Sequence, residues 1–242
     1  MKAVLLIARR DLAAYFSTLS GFLILSGHLL LTGLLFNAYA VGAQAKLSQL
    51  VLEDYFYYAS GMAMVTGVLL AMRLIAEERQ MQTLVLLRTA PLSERQIVWG
   101  KFLSALGFLT IALAASLYLP ALILVHGKVS VLQIATGYLG LFLLGAACIA
   151  LTLLASAWCG TQTLAGAIGG LLVTLLLILW LAARVTEEPL KGLLDYLALH
   201  NQHFRPFGRG VVHIKDIFYY VGLTALALES AVVSLEAWRW RE

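Results

Sequence analysis

Charge is scarce in this sequence. Only 12% of its 242 residues are Asp, Glu, Lys or Arg, about half the share usual in soluble domains, and a water-soluble globular fold is excluded on that ground. Cysteine is nearly missing: Cys148 and Cys159 make neither a disulfide framework nor a zinc-binding pattern. His200, His203 and His213 match no standard ligand spacing, so they are expected to hydrogen-bond and pack with Phe204 and Phe207 and to hold no metal. No Gly-x4-Gly-Lys-Ser/Thr loop is available to cradle a nucleotide phosphate, so the chain itself should bind no cofactor. The apolar runs contain no Asp and a single early histidine, His28, which leaves no acid–base constellation for an embedded enzyme. A basic face apart from those runs is missing too, and the net charge of +4 therefore gives no case for nucleic-acid binding.

What remains is grease. Hydrophobic residues make up 61% of the chain and the mean hydropathy is +0.88, the composition of an integral membrane protein. A bilayer-crossing helix takes roughly 20 apolar residues, and runs of that length fall at 19–41, 55–76, 97–125, 131–158, 161–183 and 217–235. The expected fold is an all-α membrane protein, one transmembrane domain over 1–242 with six spans. Residues 1–18 read differently, because Leu5, Ala8, Leu12 and Tyr15 share one helical face while Lys2, Arg9 and Arg10 can reach lipid headgroups. This is an interfacial amphipathic helix. A cleaved signal peptide is the competing reading, with Ala38-Tyr39-Ala40 as its site, but the run 19–41 exceeds the usual apolar core of about 7–15 residues. Pro120 should kink the third span. Ala165, Gly166, Ala167, Gly169 and Gly170 give the fifth a small-residue packing surface.

The rest of the chain is arranged around one charged stretch, Glu77 to Lys101. Met81, Leu84, Val85 and Arg88 follow a helical period, which predicts a helix over 77–88. Pro91 ends it by forcing Ala90 extended, and Ser93 with Gln96 three residues later forms a capping-box start for the next helix. A bent helix pair between two spans is a handle for a soluble partner. The other long polar connection, 184–215, holds a short amphipathic piece at 190–199 and the run from His200 to Gly210. Orientation follows from Lys and Arg: with the N-terminus cytoplasmic, ten lie inside and seven outside, and the early loops carry the bias. Both termini and 77–101 should then be cytoplasmic, and the His-rich loop extracytoplasmic. Glu229 lies inside the last run, where an acid marks either a functional site or a side chain reaching the interface.

These residues carry a resemblance. The pattern Glu78-Arg79-x3-Thr83-Leu84-x2-Leu87-x3-Pro91-Leu92-x7-Gly100-Lys101, in the first inside loop of a six-span chain, is similar to the ABC-2 type permeases, with Gln82 where those carry Gly before the Thr. Arg10-Asp11-Leu12-x2-Tyr15-Phe16, with Arg9 before it, and His203-Phe204-x2-Phe207-x2-Gly210-Val211 resemble the gliding-motility-type branch. The resemblance implies a homodimer, or a pair with a related chain, driven by two copies of a separate ABC ATPase that holds ATP and Mg. It further implies a place in a bacterial inner membrane and an accessory protein on the periplasmic side or within the membrane. Glu77, Glu78, Arg79, Met81, Thr83, Leu84, Leu87, Arg88 and Pro91 would form the coupling segment seated in the ATPase, with Met81, Leu84 and Leu87 as apolar anchors and Glu78 and Arg79 as orienting charges. The output is export of a substrate or force passed to periplasmic partners; a membrane-embedded enzyme or scaffold without an ATPase is the alternative.

Overall fold

The structure is a computed structural model that describes residues 2–42, 46–83 and 92–239. Within them the chain is helical, and six helices are long and apolar enough to cross a membrane. Helix α1, Lys2–Ser17, precedes α2, Leu19–Leu35, which continues as a π-helical segment, Phe36–Val41. Helix α3, Ser48–Ala71, is followed after four residues by α4, Ala76–Gln80. The third span is α5, Glu94–Ala115, broken before α6, Tyr118–His126. Helices α7, Val131–Trp158, and α8, Gln162–Arg184, form the next two spans. The long connection folds into α9, Leu190–Leu197, and α10, Arg205–Gly208, before the final span, α11, Ile214–Arg239.

Helix α7 is the centre of the bundle. Buried along almost its whole length, it packs against α3, α8 and α11, while α2 and α8 keep most of their apolar surface outward. Close approach along α7 depends on glycine: a Cβ at Gly140 would sit 2.7 Å from Phe207 Cβ. The break in the third span lies one turn before Pro120, which has no N–H to return to Ser116. There Leu119 N–H turns to Ser116 O at 3.1 Å, and the Ser116 hydroxyl lies 3.0 Å from Tyr138 Oη, itself 2.8 Å from Tyr55 Oη. Hydroxyl bonds thus join three spans where one helix is interrupted.

Two boundaries differ from the sequence reading. The second span begins at Ser48, so Glu53 and Asp54 lie inside α3 rather than before it. Both acids are balanced from outside the helix, Glu53 by Arg209 and Asp54 by Lys46, each at 2.7 Å. The last span likewise begins at Ile214 and takes in Asp216, so Asp is not missing from the spans. Its carboxylate is tied to His203, and that pairing is what lets a buried acid sit in the first turn of α11.

Candidate functional site

The helix expected over 77–88 is present but shorter. It ends at Gln80, and the backbone shows why: Thr83 N–H returns to Glu78 O at 2.9 Å and Gln82 N–H to Arg79 O at 3.1 Å, the paired bonds that close a helix end in a Schellman motif. That motif needs a residue in the left-handed region, and Gln82 supplies it with φ of 57°. Met81 is therefore the first residue past the helix, 69% exposed, and not an apolar ridge on it. Leu84, Leu87, Arg88 and Pro91 lie outside the described residues. The capping box is present as expected, with Gln96 N–H donating to Ser93 Oγ at 3.3 Å and Ser93 N–H to Gln96 Oε1 at 3.1 Å.

The four residues between α3 and α4 free backbone groups that other elements then take up. Leu74 N–H bonds Ala71 O at 3.2 Å, so Leu70 O loses its helical donor; the Tyr15 hydroxyl of α1 replaces it at 3.0 Å. Ser156, fully buried in α7, accepts from Ile75 N–H at 3.1 Å and Ala76 N–H at 2.9 Å and donates to Met72 O at 3.2 Å. One serine hydroxyl satisfies three groups that would otherwise be orphaned in an apolar setting. The break is built, not frayed.

Charges complete the joint. Arg73 grips Glu77 with two bonds, 2.8 and 3.0 Å, and its remaining nitrogen bonds Ser20 Oγ. Glu78 Oε1 lies 2.7 Å from Lys101 Nζ and 3.3 Å from Arg10 Nη2. Asp11 bonds the same two cations, Arg10 at 2.8 Å and Lys101 at 3.3 Å. Lys101 is only 2% exposed, a burial that a cation tolerates because two carboxylates face it. The Arg10 guanidinium is held more firmly charged than usual, chiefly by its bond to Asp11. The α1 helix reaches this network because Gly100 lets it cross α5 closely: a Cβ there would meet Ile7 Cβ at 2.7 Å. Tyr15 and Phe16 both pack on Phe108 with ring centroids 5.2 Å apart, whereas Arg9 is exposed.

Arg79 points away from that network. Its Nη1 donates to Cys159 O at 3.1 Å in the turn between α7 and α8, and its guanidinium lies 4.5 Å from the Trp238 ring near the end of α11. Gln80 Oε1 accepts from Gln162 N–H at 3.4 Å. On the same face Arg95 meets Glu229 at 2.7 Å, so Glu229 is paired and joins the start of α5 to α11. A cavity of about 330 Å³ lies under the joint, with Tyr15, Arg73 and Lys101 in its wall and Met81 and Thr83 at its rim.

The loop at the opposite face is equally ordered. His203 places Nδ1 2.8 Å from Asp216 Oδ1 and Nε2 2.8 Å from Tyr196 O, and its ring lies flat on Tyr219 at 3.8 Å. His200 lies 2.7 Å from Ser60 Oγ and stacks on Phe204. Phe207 is buried against Gly140. Gly210, at φ of 85°, closes α10 with the same bond pattern as Gln82 closes α4: Val211 N–H to Pro206 O and Gly210 N–H to Phe207 O. His213 is exposed and stands apart from the other two. Among the described residues no three His, Cys, Asp or Glu side chains converge as a metal site would require.

Sequence reasoning missed Ser156, the Cys159 carbonyl, Trp238 and the partner of Glu229. A serine ending an apolar helix carries no periodic signal, and a carbonyl carries none at all. Lys101 was visible as part of a Gly-Lys pair, without its burial. No curated protein matches the chain. A family pattern does, that of the ABC-2 family transporter proteins, over residues 13–197, which takes in α1 from its middle, the joint at α4 and the spans through α9. On that match, and with six membrane-length helices around it, this chain belongs to the ABC-2 family and is a multi-pass membrane subunit of a transporter.

Proposed function

We propose that the chain is the permease half of an ABC machine in a bacterial inner membrane, working as a dimer and driven by a separate ATPase that holds ATP and Mg. The coupling face, with both chain termini, is cytoplasmic; the loop from α9 to α10 is periplasmic. The observation that carries the reading is the joint itself: a five-residue helix, α4, hung on a break in α3 where Tyr15 and Ser156 re-bond four freed backbone groups, with Met81 exposed at its tip. Such a joint passes a push on its tip to several spans at once. Arg73 and Glu77 tie it to α2 and α3, Glu78 to α1 and α5, and Arg79 to α7 and α11. Rigid displacement of packed helices is then the means of switching between inward- and outward-biased states.

Glu78 and Arg79 take a different part from that implied by the resemblance. Both are engaged inside the chain, so they position the joint, and contact with the ATPase falls to Met81, Thr83 and the segment that follows. The work done is export of a substrate or delivery of force to a periplasmic partner, and the gliding-motility-type branch suits the second of these. Co-purification tests the proposal. The tagged chain, drawn in mild detergent from its native membrane, should bring an ATPase with it, and Met81→Asp should cut that recovery about tenfold, the equivalent of 1.4 kcal/mol, without changing the melting temperature. Recovery of the chain alone, with no nucleotide-dependent change in it, would contradict the proposal.

A further inference from the structure

At the loop face a cavity of about 230 Å³ opens between the first turns of α3 and the short helix α10. It is below the roughly 300–1,000 Å³ of sites that take whole drug-sized ligands, and it suits a headgroup-sized occupant. Glu53, Asp54, Tyr57 and Tyr58 line one side and Arg205 the other, over a floor of Phe204 and Gly208. The charges are unevenly matched. Glu53 is bonded through Oε1 to Arg209, and Asp54 through Oδ2 to Lys46, which leaves each carboxylate a second oxygen able to accept. Arg205 is exposed and makes no hydrogen bond or ion pair among the described residues. Of the three charged groups that line the cavity, both acids already have a cationic partner outside the lining, and the unmatched one is Arg205.

We infer that this cavity binds a compact zwitterion, a phosphoryl group on Arg205 joined to a primary ammonium on Glu53 and Asp54, the chemistry of a phosphoethanolamine headgroup. A planar guanidinium is suited to paired bonds with phosphate oxygens. An ammonium brings three donors for the acceptor oxygens opposite. A quaternary ammonium fits less well, because it needs open ring faces. Tyr58 is stacked on Tyr39 at 5.1 Å, and Tyr57 meets Tyr58 and His200 edge to face, so those faces are largely taken. The position, beside an aromatic cluster at a helix start, is where headgroups lie. The occupant comes either from the bilayer, as phosphatidylethanolamine, or from solution. Only the choice of the outer leaflet rests on the orientation proposed above; the binding chemistry does not.

The test is native mass spectrometry of the purified full chain, with phosphatidylethanolamine, phosphatidylcholine or phosphatidylglycerol added at equal concentration and soluble phosphoethanolamine as competitor. The expected result is a single phosphatidylethanolamine adduct retained about tenfold over the other two, lost in Arg205→Gln and weakened in Glu53→Gln/Asp54→Asn. The melting temperature measured without lipid keeps a folding defect from being read as lost binding. Displacement by soluble phosphoethanolamine at low concentration assigns the same chemistry to a dissolved ligand; resistance to it assigns a lipid. Equal retention of the three lipids, retention of phosphatidylglycerol alone, or an adduct indifferent to Arg205→Gln overturns the inference. None of these outcomes depends on an ATPase, so it stands or falls apart from the proposed function.

Discussion

Two residues that end helices in the same way bring out how much one side chain carries. Gly210 and Gln82 both sit in the left-handed region, at φ of 85° and 57°, and both receive the same closing bonds. For glycine the conformation is free; for other residues it costs roughly 1–2 kcal/mol. Gln82→Gly should therefore keep the turn and raise the stability of the joint by about 1 kcal/mol, while Gln82→Val, with a branched Cβ, should loosen it. Hydrogen exchange at Met81 to Thr83 reads both, slowed in the first and hastened in the second. The turn was hard to see in the sequence for this reason: with Gln in place of Gly, the apolar period of Met81 and the residues after it reads as continuing helix.

His200 gives a pH prediction. It is buried with its ring over Phe204 and beside Tyr57, bonded to Ser60 and near Asn201, and the cation that faces it is Arg205. Burial, foremost, pushes its pKa below the ordinary 6.5, and Arg205 pushes the same way against the Asn201 bond. The unfolded chain then binds the proton more readily than the folded one, so stability rises with pH through this range. It should be fully present above about pH 6.5 and fall as the pH drops below it. His200→Gln should flatten that part of a melting-temperature profile taken between pH 5 and 8; an unchanged slope would remove His200 as its source.

At the scale of elements, the joint between α3 and α4 holds because its neighbours complete it. Ser156→Ala strips the partner from two buried N–H groups and should cost on the order of 2 kcal/mol, with exchange at Ile75 and Ala76 quickening before the rest of α3. Lys101→Met removes the buried cation that Asp11 and Glu78 share and leaves them only the more exposed Arg10. Those acids keep 15% and 19% exposure, so the loss should be about 3 kcal/mol, the lower end for a broken buried pair, and α1 should become susceptible to protease. Restored stability in the double variant Lys101→Met/Glu78→Gln would trace the effect to the unpaired charge.

The elements that the sequence made legible are those with local causes. Six apolar runs, the Ser93–Gln96 capping box and the break before Pro120 each depend on residues within a turn or two, and each is present, with the second and last spans beginning earlier than expected. The joint's fastenings depend on pairs far apart in the chain: Tyr15 with Leu70, Ser156 with Ile75 and Ala76, Arg79 with Cys159, Arg95 with Glu229. No periodicity or motif encodes which serine of α7 meets which break in α3. Glu229 shows the same gap. Its position within an apolar run marked it as costly, and only the placement of α5 supplied Arg95 to meet it. The histidine loop was half legible, for its aromatic content predicted packing, but Tyr219 and Asp216 as the partners of His203 came from the fold.

For the whole molecule, the account makes one helix, α4, the point where force enters and three sets of contacts the routes by which it spreads. One face carries this joint and the other a clamped loop beside a polar cavity, with α7 and α11 running between them. The most direct measurement is photo-crosslinking from a reactive residue placed at Met81 in native membranes, with Val212 on the opposite face as the control. The account predicts that position 81 joins the chain to an ATP-hydrolysing subunit, more strongly or less as nucleotide is added, and that position 212 never does. Crosslinks from Met81 to lipid or to this chain alone, indifferent to nucleotide, would contradict it.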